Sequence, residues 1–238
     1  MARWRPAPHI RPVSDPIPMR LARPFVLLVL SLAVPAADAQ GVLGGRVMQA
    51  GTDEPLACLG VALVSESGML IGQTRTRRDG TFDLAAPEQP GLYRIYFVGL
   101  GLELVDTDTL RLGPTTDFEI PFRIALTRSR GTMTAASLTH AGIDLEPRPT
   151  AGRPALRYPA ELRENGTEGR VIMGFAIDTA GRVDPRTALV LESAHPLFTA
   201  SVRSALASLR FSPAQYSGAP QCIFVTQEFQ FALQGRRP

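Results

Sequence analysis

The chain has 238 residues, 45% hydrophobic and 20% charged, an ordinary composition for a globular protein and enough length for two small domains. Its formal charge of +3 comes from the first 39 residues, where Arg3, Arg5, Arg11, Arg20 and Arg23 meet only Asp15 and Asp38, while the other 20 arginines balance 20 acids. With a neutral body, the high isoelectric point does not argue for nucleic acid as a partner.

Within that body, residues 40–127 are net −4 and residues 128–238 net +4, an asymmetry that suggests two units. At the N-terminus, Arg20 and Arg23 precede the apolar run Phe25–Val34, which Pro35 ends and Ala37-Asp38-Ala39 follows. A basic, then apolar, then small-residue order predicts a signal peptide cut between Ala39 and Gln40. The run falls short of the ~20 residues of a membrane span, so no permanent span is expected. Retention of 25–34 as an anchor is the alternative. Residues 1–39 thus read as leader and signal, with Met19 a candidate true start. Position 40 is Gln, which argues against lipid anchoring there, and the mature chain is expected in an oxidising exported compartment.

Residues 41–127 read as short strands at 44–49, 60–67, 72–87, 91–101 and 117–126, separated by turn residues. Asp79-Gly80 between alternating segments predicts a hairpin. Tyr93, Ile95 and Phe97 alternate with Arg94, Tyr96 and Val98, as in a strand with one strongly buried face. Gly99-Leu100-Gly101 reads as a strand-end glycine pair. Regular short strands without a helical segment predict a small sandwich. The stretch from Thr76 to Leu84, with Asp79-Gly80-Thr81-Phe82-Asp83-Leu84 and then Pro90-Gly91-Leu92-Tyr93, resembles the carboxypeptidase regulatory-like (prealbumin-like) domain. That resemblance covers about 85 residues and implies an Ig-like β-sandwich without catalysis of its own.

Residues 128–154 show no apolar period and end among Pro147, Pro149 and Pro154, which reads as a polar linker. Beyond it, Pro159 to Asn165 predicts a short helix stopped at Asn165-Gly166. Val171, Met173, Phe175 and Ile177 mark one face of a strand. A turn at Asp178–Gly181 returns the chain along 182–192, where Pro185 predicts an edge or a bulge. Pro196 opens a helix at its best-tolerated position, and Phe198, Val202, Ala205 and Leu209 form its apolar face. Cys222 to Phe231 predicts a last strand.

Tyr158-Pro159, the Gly169-Arg170-Val171 strand, Asp178 to Val183, Leu209 to Ala214 and the aromatic-ended last strand together resemble the TonB C-terminal domain over residues 155–235. The expected fold is therefore two domains: an all-β Ig-like sandwich followed by a small α+β domain, a three-stranded antiparallel sheet with helices. The family resemblance implies docking of outer-membrane TonB-dependent receptors, or of other envelope proteins, by strand addition at the sheet edge. It points to the periplasm or envelope of a Gram-negative bacterium. Candidate partner-binding residues are Tyr158, Pro159, Cys222, Phe224, Thr226 and Glu228. For Tyr158, packing beneath the first helix is the competing reading, and the last strand reads equally as an interior strand. An energy transducer with a retained anchor is the alternative function.

Chemistry is not expected. His9, His140 and His195 are scattered, the last just before a helix, where capping is the ordinary role. No zinc-protease, clustered Cys/His or nucleophile-elbow motif occurs, so neither metal nor cofactor is expected. Cys58 and Cys222 lie in different halves. Either they pair, which needs Cα atoms within about 7 Å, or they are two buried small side chains.

Overall fold

The computed structural model describes residues 40–102, 105–128, 142–150 and 156–233. The predicted signal segment and cleavage site, and parts of the predicted linker, lie outside them, apart from Gln40. Among the described residues of the first half there are eight strands: β1 (Val42–Gln49), β2 (Gly60–Ser65), β3 (Leu70–Arg75), β4 (Thr81–Ala85), β5 (Gly91–Val98), β6 (Val105–Asp106), β7 (Leu110–Leu112) and β8 (Phe118–Ile124). They form two sheets. One has the order β4-β1-β8, and the other runs β3-β2-β5-β6, with β7 also on β5. In the first sheet β1 is antiparallel to β4, placing Leu43 opposite Leu84, and parallel to β8. In the second, Leu63 of β2 faces Ile95 of β5. Leu43, Val47, Phe82, Ile95 and Phe97 fill the space between the sheets, as alternation along each strand requires.

The Asp79-Gly80 turn forms, but it does not make the predicted hairpin. β3 pairs with β2 and β4 pairs with β1, so this turn carries the chain from one sheet to the other. The local turn chemistry is present. Gly80 sits at φ 81, and the Asp79 carboxylate accepts from the Thr81 N–H at 3.0 Å. The strand before it is directed by Thr76, which is buried. The Thr76 hydroxyl donates to the Leu56 carbonyl at 2.5 Å and accepts from the Leu59 N–H at 2.9 Å, which ties the end of β3 to the start of β2.

In the second half, α1 (Ala160–Glu164), β9 (Gly169–Ile177), β10 (Val183–Ser193), α2 (Pro196–Leu206), β11 (Ala214–Tyr216), β12 (Ala219–Gln221) and β13 (Ile223–Phe231) follow in order. β9 is central in a three-stranded antiparallel sheet of order β10-β9-β13. β10 carries a register shift between Asp184 and Leu189, spanning Pro185. Pro196 takes the first turn of α2, and the His195 ring accepts from the Leu197 N–H at 3.1 Å. β11 and β12 make a small hairpin that periodicity did not reveal.

One face of the β9 sheet packs on α2. Val171, Met173, Phe175 and Ile177 meet Phe198, Val202 and Leu206 there. Phe231 stacks on Phe198 at 4.2 Å between ring centroids. The opposite face is apolar as well: Leu189 and Phe224 join the core of the sandwich. The two predicted domains are therefore not separate. The described residues fall in one compact unit, because burial of this second sheet face requires the sandwich. Residues 142–150, expected within the linker, are also built in. Ile143 is buried in the second core, and Leu145 and Pro149 bridge to Gln215 and Phe211.

Candidate docking edge

β13 is the outermost strand on its side of the sheet, the place where an added strand would pair. Alternation along β13 sends Ile223, Val225, Phe229 and Phe231 into the helix-side core. Phe224, Thr226, Glu228 and Gln230 turn to the other face, and their backbone N–H and C=O groups point away from β9. Part of that outer side is already occupied by this chain. The Leu100 N–H donates to the Phe224 carbonyl at 2.9 Å, the Thr226 N–H donates to the Leu100 carbonyl at 2.9 Å, and the Phe224 N–H donates to the Cys58 carbonyl at 2.9 Å. Leu100 bridges Val225 in parallel.

Two glycines make this approach fit. Gly101, at φ 78, lies so close to Thr226 that a Cβ would overlap its hydroxyl oxygen, so only glycine serves there. Gly174 of β9 leaves room for the Phe224 ring, since a Cβ would stand 2.5 Å from it. Cys58 and Cys222 close the same seam as a disulfide, with Cα atoms 5.5 Å apart. Cys58 adopts φ 58, a left-handed conformation that costs a non-glycine residue on the order of 1–3 kcal/mol and persists only where neighbours fix it. Here the disulfide, the Phe224 N–H and a bond from the Cys58 N–H to the Thr76 carbonyl at 2.9 Å do so.

The predicted contact residues thus have other duties. Phe224 is fully buried and cannot meet a partner while the sandwich covers it. Cys222 is in the disulfide. Thr226 is bonded to Leu100. Glu228 pairs with Arg128 at 2.8 Å, both partly exposed. Tyr158 donates to the Thr167 carbonyl at 2.6 Å and packs edge-on against Phe198 and Phe231, a structural position. Pro159 precedes α1 as its cap. Among the described residues, no strand pairs with the outer side of Glu228–Phe231.

Polar links flank the seam. Arg78 reaches Asp184 at 2.6 Å. Burial alone would raise the Asp184 carboxyl, but the Arg186 N–H and guanidinium, with Arg78, carry it below the usual carboxylate range. Arg75 donates to the Gly142 carbonyl at 2.9 Å, and burial lowers its guanidinium to about 10.

Sequence reasoning did not find Gly99–Leu102 as a binding segment. The signal was present in two places. Past Arg170, the residues Ile172, Gly174 and Ala176 leave the second face of β9 apolar, where an open three-stranded sheet would carry polar side chains. The Gly-Leu-Gly spacing also suits a close backbone approach. Among the described residues no cluster could hold a metal ion, and no helix is long and apolar enough to cross a membrane.

Residues 154–233 match the family described as Gram-negative bacterial TonB protein C-terminal. A solution NMR structure of the Pseudomonas aeruginosa TonB C-terminal domain is similar at 35% identity, covering 38% of this chain and 90% of that one, with a TM-score of 0.33. A putative carbohydrate binding protein from Bacteroides uniformis aligns at 8% identity over 81% of this chain and 99% of that one, with a TM-score of 0.33. A DUF3823 family protein from the same organism aligns at 12% identity over 81% and 99%, with a TM-score of 0.30. No curated protein matches the chain.

Proposed function

Residues 154–233 belong to the TonB C-terminal domain family, and from this premise we propose that the chain is a protein-binding module of the Gram-negative cell envelope. It docks outer-membrane TonB-dependent receptors, or other envelope proteins, by accepting an extended segment along β13. It is an interaction module and not a catalyst. The observation that carries the reading is the position of β13 as an outermost strand whose outer side, from Glu228 onward, has no paired strand among the described residues.

Main-chain hydrogen bonds would supply affinity in this mode and side-chain contacts selectivity. Of the outward backbone groups of Glu228 and Gln230, the Glu228 carbonyl already accepts from the Gln227 side-chain amide at 2.9 Å, and the others are worth about 0.5–1.5 kcal/mol each once water exchange is counted. Association costs about 4 kcal/mol or more in lost freedom. That short stretch is therefore a foothold, and a stable seat draws on Thr226 and Phe224 too.

Titration calorimetry of the folded chain with TonB-box peptides of outer-membrane receptors, in oxidised and in reduced buffer, tests the reading. Binding is expected in at least one of the two. Gln230→Pro, which removes an outward N–H on an exposed residue at an edge position that tolerates proline, should weaken it about tenfold. A folded protein that binds none of the peptides in either buffer defeats the proposal.

A further inference from the structure

We infer that Gly99–Leu102 is a built-in occupant of the docking edge of β13, latched there by the Cys58–Cys222 disulfide, and that reduction of this disulfide opens the edge to a partner strand. The inference rests on the docking reading of β13 and adds its control. Leu100 lies where an added strand would lie. It gives its N–H to the Phe224 carbonyl and takes the Thr226 N–H on its own carbonyl, each at 2.9 Å, and bridges Val225 in parallel. With the Phe224 N–H held by Cys58, the chain itself satisfies the outward groups at the start of the strand. An incoming strand cannot register on Phe224 and Thr226 without displacing Leu100.

The self-docked segment is short, and its one buried side chain, Leu102, lies in the sandwich core. Leu100 is only half-buried and stands between two glycines, and the positive φ of Gly101 turns the chain immediately afterwards. The covalent tie, together with the burial of Phe224 and Leu102 in the sandwich core, keeps the segment beside Cys58 in register with β13. Cys222 lies two residues before Phe224, and Cys58 supplies one of the three backbone bonds of the seam. The Arg128–Glu228 pair further along is partly exposed on both sides and so contributes little.

The disulfide is also reachable. Both cysteines are half-buried, and Cys58 lines a surface groove of 570 Å³ with Arg78, Asp178, Asp184 and Arg186. A thiolate of a dithiol protein attacks one sulfur of the pair. Its second thiol resolves the mixed disulfide. The Sγ–Sγ bond breaks, Cys58 and Cys222 become thiols with two electrons and two protons gained, and the dithiol becomes a disulfide.

Amide hydrogen exchange on the full chain, read at Leu100, Phe224 and Thr226 before and after dithiothreitol, tests the latch without any partner. Exchange at these amides should quicken about tenfold or more on reduction while Phe175 in β9 keeps its protection. Unchanged exchange overturns the latch. So does an equal loss at Phe175, which would make the disulfide a staple for the whole fold. Gly101→Val, in which the added side chain collides with Thr226, should quicken the Phe224 and Thr226 amides with the disulfide intact. Calorimetry with TonB-box peptides then separates the two ideas. Release without binding leaves the latch standing and removes the docking role. Binding of equal strength in oxidised and reduced protein keeps the docking role and removes the latch.

Discussion

Thr76 and Phe224 hold the molecule by opposite means. Thr76 is a polar side chain buried with both its capacities used, towards Leu56 and Leu59. Thr76→Val keeps the shape but leaves a buried carbonyl and N–H without their partner, a loss of about 1–3 kcal/mol that a shift in urea midpoint would register. Phe224 contributes by volume. Its ring lies over Gly174 and in the sandwich core, so Phe224→Ala should cost about 3–5 kcal/mol. A Phe224 that served only to touch a partner would leave the midpoint where it was, and calorimetric unfolding decides between them. A docking role for this ring is what the TonB C-terminal resemblance implies for the face of the last strand on which alternation places it. Alternation identifies which residues share a face and says nothing about what covers it.

The β9–β10 hairpin carries two carboxylates, Asp178 and Asp184, at either end of its turn. Asp178 accepts from the Ala180 N–H at 2.9 Å and the Arg182 N–H at 2.8 Å. Burial pushes its carboxyl up, but the Arg182 N–H and guanidinium and the Ala180 N–H outweigh this and hold it below the usual range. Asp184 is lowered likewise, against the push of burial, by Arg186 and Arg78. A lowered folded value means that the unfolded chain takes up protons first as pH falls. The stability these groups contribute is present above about pH 4, the unfolded aspartate value, and fades as pH drops through the lower folded values. Denaturant midpoints measured from pH 6 to pH 3 should therefore fall, and Asp178→Asn with Asp184→Asn should flatten that slope. A slope equal to the native one would remove these residues from the account. This hairpin was legible in the sequence because its turn residues and alternation agree. The same agreement gave α2, with Pro196 at its start and an apolar stripe. The β3–β4 turn was legible too, but not its sheet partners, since pairing there depends on Thr76 and on contacts distant in sequence.

Across the whole molecule, the two resemblances each concerned one half, of which residues 154–233 match the TonB C-terminal family, and neither implied their union. The linker composition around 128–154 suggested independence, yet Ile143 is buried in the second core and the second face of β9 lies against the sandwich. The signs of it in the sequence were the apolar residues Ile172, Ala176, Leu189 and Phe224 on the second face of the sheet and the Gly99-Leu100-Gly101 spacing. The Cys58–Cys222 bond spans 164 residues, and loss of so long a closure costs about 2–5 kcal/mol. Unfolding in guanidinium with and without reductant should show that difference, and Cys58→Ser with Cys222→Ser should reproduce it. Midpoints that coincide would mean that the bond adds nothing to stability. The same separation has a bearing on how the molecule is made. A chain delivered from its N-terminus brings out Cys58 and Leu100 long before the strand they rest against, so the sandwich must wait with an unpaired cysteine and an unpaired backbone on display. The last strand to arrive completes both cores, and until then the early half is itself open to capture by any extended segment nearby.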